Sequence, residues 1–257
     1  MSKVNLKLKG VDNKRLNENH ILIKLAHDKP LPDILPGQFV QVKVEGSPET
    51  FLRRPISVNF VDYDKNQLWL LIQLKGQGTK RLAKLKVDEE LDILFPLGNG
   101  FNRNIIKGEN ILLVGGGVGV APLLYYGKYI ADRGATPIFL LGAKTKDALL
   151  EKELFEQYGP VYVTTEDGSE GIKGFVTDHP MLDQRKYSRI SVCGPTPMMK
   201  AVAEFSFNYD LSCEVSLENL MACGLGACLC CVQKTPRGNL CVCTEGPVFN
   251  AKEIFYL

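Results

Sequence analysis

Six of the eight cysteines of this chain fall between residues 223 and 243: Cys223, Cys228, Cys230, Cys231, Cys241 and Cys243. Thiols gathered this closely can pair as disulfides, hold zinc, sit as buried small hydrophobes or cage a redox cluster. The spacing Cys223-x4-Cys228-x2-Cys231, with Cys243 after eleven intervening residues, is the plant-type [2Fe–2S] arrangement, in which four sulfurs converge on two irons. Gly224 and Gly226 leave room for backbone N–H groups to turn towards the cluster sulfurs, where a side chain would obstruct the wrapping. The other chemistries fit less well. Vicinal Cys230-Cys231 is a poor disulfide geometry, zinc usually draws on two separated C-x2-C knuckles, and buried thiols need no such periodicity. Spacing alone leaves the ligand set open, because Cys230 competes with Cys231 and Cys241 with Cys243.

Other stretches carry phosphate-binding chemistry. "LVGGGVGVAPLL" (113–124) places Gly115, Gly116, Gly117 and Gly119 where an apolar strand meets a helix, so that backbone and helix N-terminus can approach a pyrophosphate. It departs from the strict G-x-G-x-x-G fingerprint at Pro122. "VCGPTPMM" (192–199), with Cys193, Gly194 and Pro195, ends a later strand of the same sheet, at the carboxyl edge where open α/β sheets bind ligands. Two such turns at one edge point to a dinucleotide. "TTEDGSEG" (164–171) ends the strand between them, either supplying polar contacts or standing as a solvated loop. Upstream, "RRPISV" (53–58) sets two arginines and a serine in a β segment. Arginine grips phosphate bidentately, and a serine hydroxyl reaches a flavin ring or phosphate. "KGQGTKRL" (75–82) is a glycine turn into a short helix over about Thr79 to Leu85, with Thr79 as N-cap and N–H groups suited to the second phosphate of a flavin dinucleotide.

The elements that must position these residues follow from pattern. Residues 1–102 read as a small antiparallel β-barrel: "GQFVQVKVE" alternates, "RRPISVNFVD" and "QLWLLIQLK" are β-rich, and "ELDILFPLG" closes the segment. Residues 103–210 alternate apolar strands with helical stretches, the rhythm of a Rossmann-like parallel α/β nucleotide domain. Residues 211–257 break that rhythm and form a small C-terminal cluster-binding module. The 257 residues carry a net charge of +2, which implies no attraction to nucleic acid or to an anionic membrane surface. No signal-peptide run opens the chain, and the longest apolar stretches fall short of a membrane span. With structural disulfides disfavoured in a reducing compartment, clustered cysteines and absent targeting signals together read as cytoplasmic. His20, His27 and His179 sit in polar stretches and read as surface residues.

The order of "RPIS", "GQGT", "PLGNGF", "GGGVGVAPL" and "CGPTPMM" resembles the ferredoxin–NADP reductase superfamily over nearly the first 210 residues. The resemblance implies that Arg54, Pro55, Ile56 and Ser57 line FAD, together with Leu71, Ile72, Gln73, Gly78 and Thr79. It also implies that Gly115, Gly116, Gly117, Gly119, Cys193, Gly194 and Pro195 face the nicotinamide nucleotide. "CGLGACLCCV…CVCTEGPVF" is similar to the C-terminal region of electron-transfer subunits of type B dihydroorotate dehydrogenases. In that family the last ligand precedes an acidic-Gly-Pro-Val-Phe stretch, here Glu245 to Phe249, which selects Cys243. The implied ligands are Cys223, Cys228, Cys231 and Cys243.

The family resemblance then implies a function. Nothing in the chain resembles a general base poised over an organic substrate, and a one-electron cluster beside a flavin makes sense only with a second protein. The implied partner is an FMN-containing catalytic subunit that oxidises dihydroorotate, in a heterotetramer of two of each, with electrons passing through [2Fe–2S] and FAD to NAD. The rim of the cluster loop near Leu225 and Leu229 is the expected docking surface. Lys144 and Lys146 follow the second strand of the sheet, where they either meet a 2′-phosphate or are simply solvated; NAD follows from the resemblance alone. Two other readings are a flavoprotein subunit of a sulfide dehydrogenase or an NADH-dependent ferredoxin–NADP oxidoreductase, and a zinc-stabilised, non-catalytic nucleotide or redox sensor.

Overall fold

The structure, a computed structural model, describes residues 3–255. Seven strands come first: β1 (Val4–Asn17), β2 (His20–Ala26), β3 (Phe39–Val42), β4 (Arg54–Ser57), β5 (Phe60–Asp62), β6 (Gln67–Gln73) and β7 (Glu90–Leu97), with helix α1 (Gln77–Leu82) between the last two. They form one antiparallel sheet in the order β4-β3-β7-β1-β2-β6-β5, curled into a half-barrel. The two most apolar runs, "HILIKLA" and "QLWLLIQ", pair along their full length from His20↔Gln73 to Ala26↔Gln67. That register buries Ile21, Ile23 and Leu25 with Leu68, Leu70 and Ile72, which is the main reason the sheet closes on one core.

The second sheet comprises β8 (Asn110–Gly116), β9 (Thr136–Ala143), β10 (Val161–Thr165), β11 (Ile172–Lys173), β12 (Arg189–Cys193) and β13 (Ser212–Ser216), crossed by α2 (Ala121–Ala131), α3 (Lys152–Phe155), α4 (Met181–Gln184) and α5 (Thr196–Asn208). Its order is β11-β10-β9-β8-β12-β13, all parallel. Leu112, Leu113 and Val114 of β8 are wholly buried, as a strand covered on both faces requires. The C-terminal segment adds the hairpin β14 (Val232–Thr235) and β15 (Gly238–Cys241), then β16 (Val248–Asn250) and α6 (Ala251–Ile254). Two features depart from the expected division at residue 210. β13 pairs with β12 along its whole length, so the parallel sheet runs on to Ser216. β16 then returns antiparallel to β13, stitching the cysteine-bearing segment to the nucleotide domain through backbone hydrogen bonds.

The half-barrel and the α/β domain share one apolar cluster, which reaches from Leu8 and Ile23 to Ile111, Leu123 and Tyr126. Asn59, fully buried between β4 and β5, clamps this junction. Its side-chain amide donates to the Ala121 carbonyl (3.2 Å) and to Glu151 Oε2 (2.8 Å), and its backbone carbonyl accepts from Tyr125 N–H (3.2 Å). Burial pushes the Glu151 carboxyl from 4.5 up to about 7, with the Asn59 hydrogen bond and Lys24 opposing the rise. A raised folded-state pKa means stability that is fully present below pH 4.5 and lost as pH climbs through 7. Glu151→Gln removes the ionisable group and keeps an acceptor for Asn59. Between pH 5 and pH 8 the unmodified chain is expected to lose about 2 to 3 kcal/mol more unfolding free energy than this variant in urea titrations. Identical pH slopes would exclude Glu151 as the source.

Three local details differ from the sequence reading. Helix α1 begins at Gln77 with Gly76 as N-cap; Thr79 is the third helical residue, and its hydroxyl accepts from Lys75 N–H (3.0 Å) and Gly76 N–H (3.2 Å). The threonine thus closes the turn from inside the helix, the return half of a capping box. His20 is buried, because its position at the end of β2 faces the core. Its Nδ1 lies 2.9 Å from Asn17 Oδ1, and burial lowers its pKa. His27 and His179 are half-buried, and His179 packs edge-on against Tyr162.

Candidate functional site

A cleft of about 770 Å³ opens where the three segments meet. Its barrel wall consists of Arg54, Pro55, Ile56 and Ser57 on β4, Leu71, Ile72 and Gln73 at the end of β6, and Gly78 and Thr79 in α1. These nine expected residues come from three short segments within residues 54–79, and the fold brings them to one surface. Gly78 is needed for the approach: a Cβ there would stand 2.8 Å from Arg54 Nε and 3.1 Å from Thr50 Cγ2. The guanidinium therefore lies directly against the start of α1, so a cation and free helical N–H groups converge as a phosphate requires.

The opposite wall was not foreseen from motifs. Val118 and Ala121 come from the glycine turn, Leu217 to Met221 follow β13, and Pro247 belongs to the acidic-Gly-Pro-Val-Phe stretch. Glu218 is the chemically notable member, since burial raises its carboxyl above the usual range while Lys75 opposes the shift. Position was its one signal, directly after a parallel strand at the sheet's carboxyl edge. "PLGNGF" holds this wall in place. Asn99 N–H donates to Gly246 O (2.6 Å), and its side chain donates to the carbonyls of Thr244 (3.1 Å) and Glu245 (3.0 Å). Gly98, at φ +72°, lets Pro247 pack where a Cβ would meet it at 2.6 Å.

The two glycine-bearing turns are adjacent, with Gly115 opposite Cys193 in the β8–β12 ladder. Three of the four glycines serve the packing of these turns against protein. A Cβ on Gly115 would meet Val120, one on Gly116 would meet Met198 and Pro195, and one on Gly119 would strike Gly194. Only Gly117, at φ +55°, faces open space. Burial pushes the Cys193 thiol well up, with Glu218 adding to the effect, so the sulfur stays neutral. The "TTEDGSEG" loop is occupied with itself, since Asp167 accepts from Ser169 N–H and Oγ while Ser169 Oγ accepts from Lys146 N–H. Lys144 and Lys146 are exposed.

The cysteine loop starts two residues after Met221. Gly224 (φ +70°) and Gly226 (φ +83°) both lie in the left-handed region and turn the chain back on itself. Leu225 N–H then donates to Cys223 Sγ (3.3 Å), Cys223 N–H to Cys228 Sγ (3.5 Å), Gly226 N–H to Cys243 Sγ (3.2 Å) and Cys243 N–H to Cys231 Sγ (3.4 Å). Among the described residues, no backbone N–H is directed at the sulfur of Cys230 or Cys241. The N–H of Cys241 donates instead to the Glu245 carboxylate. Hydrogen bonding to Leu225 lowers the Cys223 thiol to about 6, while burial and the neighbouring Cys231 raise Cys243 to about 12. No three of these groups form a ready mononuclear metal cage among the described residues. The fit to an iron–sulfur cluster therefore rests on the donor set, four thiols each already receiving an N–H, in the pattern such a cluster needs.

Comparison with known proteins gives a consistent picture. Residues 218–255 match the iron–sulfur cluster binding domain of dihydroorotate dehydrogenase B, and residues 113–204 match the oxidoreductase NAD-binding domain. The dihydroorotate dehydrogenase B (NAD(+)) electron transfer subunit of Lysinibacillus sphaericus is 40% identical over 250 residues, covering 95% of each chain. Those of Caldanaerobacter subterraneus and Shouchella clausii are 43% and 41% identical, covering 86% and 85% of this chain and 87% and 86% of theirs. In three dimensions the chain resembles a chain of an NADH-dependent reduced ferredoxin–NADP oxidoreductase, with TM-score 0.86, 29% identity and coverage of 96% of this chain and 89% of that one. A ferredoxin NADP⁺ reductase from Neisseria gonorrhoeae shares the fold, with TM-score 0.64, 18% identity and coverage of 79% and 91%. No helix among the described residues is long and apolar enough to cross a membrane.

Proposed function

This chain belongs to the electron-transfer subunits of dihydroorotate dehydrogenase B (NAD⁺), and from there we propose the details of its partner and its sites. It is an oxidoreductase subunit that works with FAD, a [2Fe–2S] cluster and NAD. Its catalytic partner, in our proposal, carries FMN and oxidises dihydroorotate to orotate in pyrimidine synthesis, in a cytoplasmic assembly of two subunits of each kind. Eight unbridged cysteines suit that reducing compartment. When bound, FAD exchanges hydride with NAD and single electrons with the cluster, which carries one at a time.

The chain's own residues divide the work. Arg54, with the turn at Gly78 and Thr79, would neutralise and orient the FAD phosphates, while buried Leu71 and Ile72 give an apolar floor that excludes water. Pro55, Ile56, Ser57 and Gln73 would complete the ring's surroundings. Gly117 and the edge formed by Cys193, Gly194 and Pro195 would receive the nicotinamide nucleotide. Cys223, Cys228, Cys231 and Cys243 would hold the cluster, and residues 1–102, 103–210 and 211–257 remain our working division of these duties, with β13 shared between the last two.

One observation carries the reading: Leu217 to Met221 line the flavin cleft and run directly into Cys223. The two redox sites are thus joined by one short span of backbone. The purified chain is expected to show flavin bands at about 370 and about 450 nm, with iron–sulfur absorption at longer wavelength. Mixed with an FMN-containing dihydroorotate-oxidising subunit, it should convert dihydroorotate and NAD⁺ to orotate and NADH. A colourless, zinc-loaded preparation would refute the assignment.

A further inference from the structure

Gln41 lies in the middle of β3, paired with Pro55 on one side and Leu94 on the other, and is 0% exposed. Its backbone carbonyl accepts from Arg53 Nη1 (3.3 Å). Its side chain has nothing comparable, because neither Oε1 nor Nε2 has a hydrogen-bond partner. A buried carboxamide left unpaired at both ends is costly, and native structures hold very few. Exchanging its oxygen and nitrogen does not help, since both positions are orphaned.

The neighbour of this amide is the cysteine loop. A Cβ on Gly224 would stand 2.9 Å from Gln41 Cγ and 3.0 Å from Nε2. Gly224 thus lacks a side chain on the face that the carboxamide occupies, between Cys223 and the Leu225 N–H that already points at Cys223 Sγ. Phe39, two residues earlier and so on the same face of β3, lines the flavin cleft. One strand face therefore runs from the flavin site to the floor of the cysteine loop, and its polar member sits at the loop end.

We infer that the Gln41 carboxamide donates a hydrogen bond to sulfur at the cluster site, and that it is a positioning residue which sets how readily the cluster takes an electron. The inference rests on the cluster assignment above. An amide N–H finds a good acceptor in electron-rich sulfur. It stabilises the reduced form, which carries one more negative charge, over the oxidised form, and so raises the reduction potential. The donor comes from the flavin-binding barrel, so packing of β3 against the loop couples cluster tuning to the seating of one domain on another.

The test uses the whole chain loaded with FAD and cluster. Gln41→Leu removes the donor at nearly constant volume, and Gln41→Met serves the same purpose with a more adaptable side chain should the leucine variant fold poorly. Cluster potential is read by EPR-monitored redox titration, and flavin potential by its visible bands in the same titration. The expected result is a fall of about threefold to tenfold in the cluster's reduction equilibrium, roughly 30 to 60 mV for one electron, with the flavin potential unchanged. An unchanged cluster potential in a folded variant, or a shift confined to the flavin, would overturn the inference. Absence of any iron–sulfur EPR signal in the unmodified, reduced protein would instead overturn the cluster assignment, and the inference with it.

Discussion

Cys243→Ser is expected to abolish the iron–sulfur signal and dihydroorotate-linked NAD⁺ reduction, whereas Cys241→Ser leaves both in place. The two cysteines are two residues apart, and both lie near the other thiols, so proximity does not separate them. Hydrogen bonding does. Cys243 Sγ receives the Gly226 N–H at 3.2 Å, and its own N–H reaches Cys231 Sγ at 3.4 Å. Cys243 is 1% exposed, and burial holds its thiol up near 12. Cys230→Ser and Cys231→Ser form the matching pair, with loss expected only for Cys231. In each ligand variant the flavin should still be reduced by NADH, because the cleft keeps its barrel wall. Iron analysis and EPR of the four variants decide the matter, and loss of the cluster in Cys241→Ser with retention in Cys243→Ser would reverse the assignment.

The second large effect concerns the rim of the cluster loop. Leu225 and Leu229 are 45% and 62% exposed, and the two most open cysteines, Cys228 and Cys230, lie between these apolar side chains in sequence or next to them. Large apolar groups around the exposed edge of a redox loop are what a partner subunit would cover. A Leu225→Asp, Leu229→Asp double variant would place two charges in that contact. Burying them unpaired should cost at least about 3 kcal/mol, roughly a hundredfold in affinity for the catalytic subunit. Leu229 sits at φ +57°, a conformation aspartate tolerates better than leucine, so the loop itself should not suffer. The variant is therefore expected to keep its cluster EPR signal and its flavin reduction by NADH while losing turnover with dihydroorotate. Unaltered turnover at limiting partner concentration would place the docking surface elsewhere.

Much of this was legible in the chain. Strand and helix alternation identified the α/β domain because buried parallel strands leave continuous apolar runs such as "NILLVGG". Among the proposed flavin contacts, Arg54, Ser57, Gly78 and Thr79 stood out from motifs whose chemistry is local, an arginine and serine on one strand and a glycine turn on a helix, whereas Pro55, Ile56 and Leu71 to Gln73 came from family resemblance alone. What was not legible depends on contacts between segments. Thr79 looked like an N-cap because its type favours that position, yet the turn places it three residues later. His20 looked solvated from its polar neighbours, and strand register turned it inward. Of the glycines that suggested a pyrophosphate cradle, Gly116 and Gly119 pack against the neighbouring turn and Gly115 against Val120 of its own.

The sequence by itself determined the chemistry available: thiols at cluster spacing, arginine and glycine at phosphate spacing, and the order of the segments that carry them. These are properties of residue type and short-range spacing, and no folding is needed to read them. Only the tertiary structure decided which cysteines receive inward N–H groups, that Leu217 to Met221 join the cleft at the barrel wall to the cysteine loop, and that Gln41 lies unpaired beside that loop. Each of these depends on where distant strands pack, and packing is settled by the burial of whole faces rather than by any local pattern.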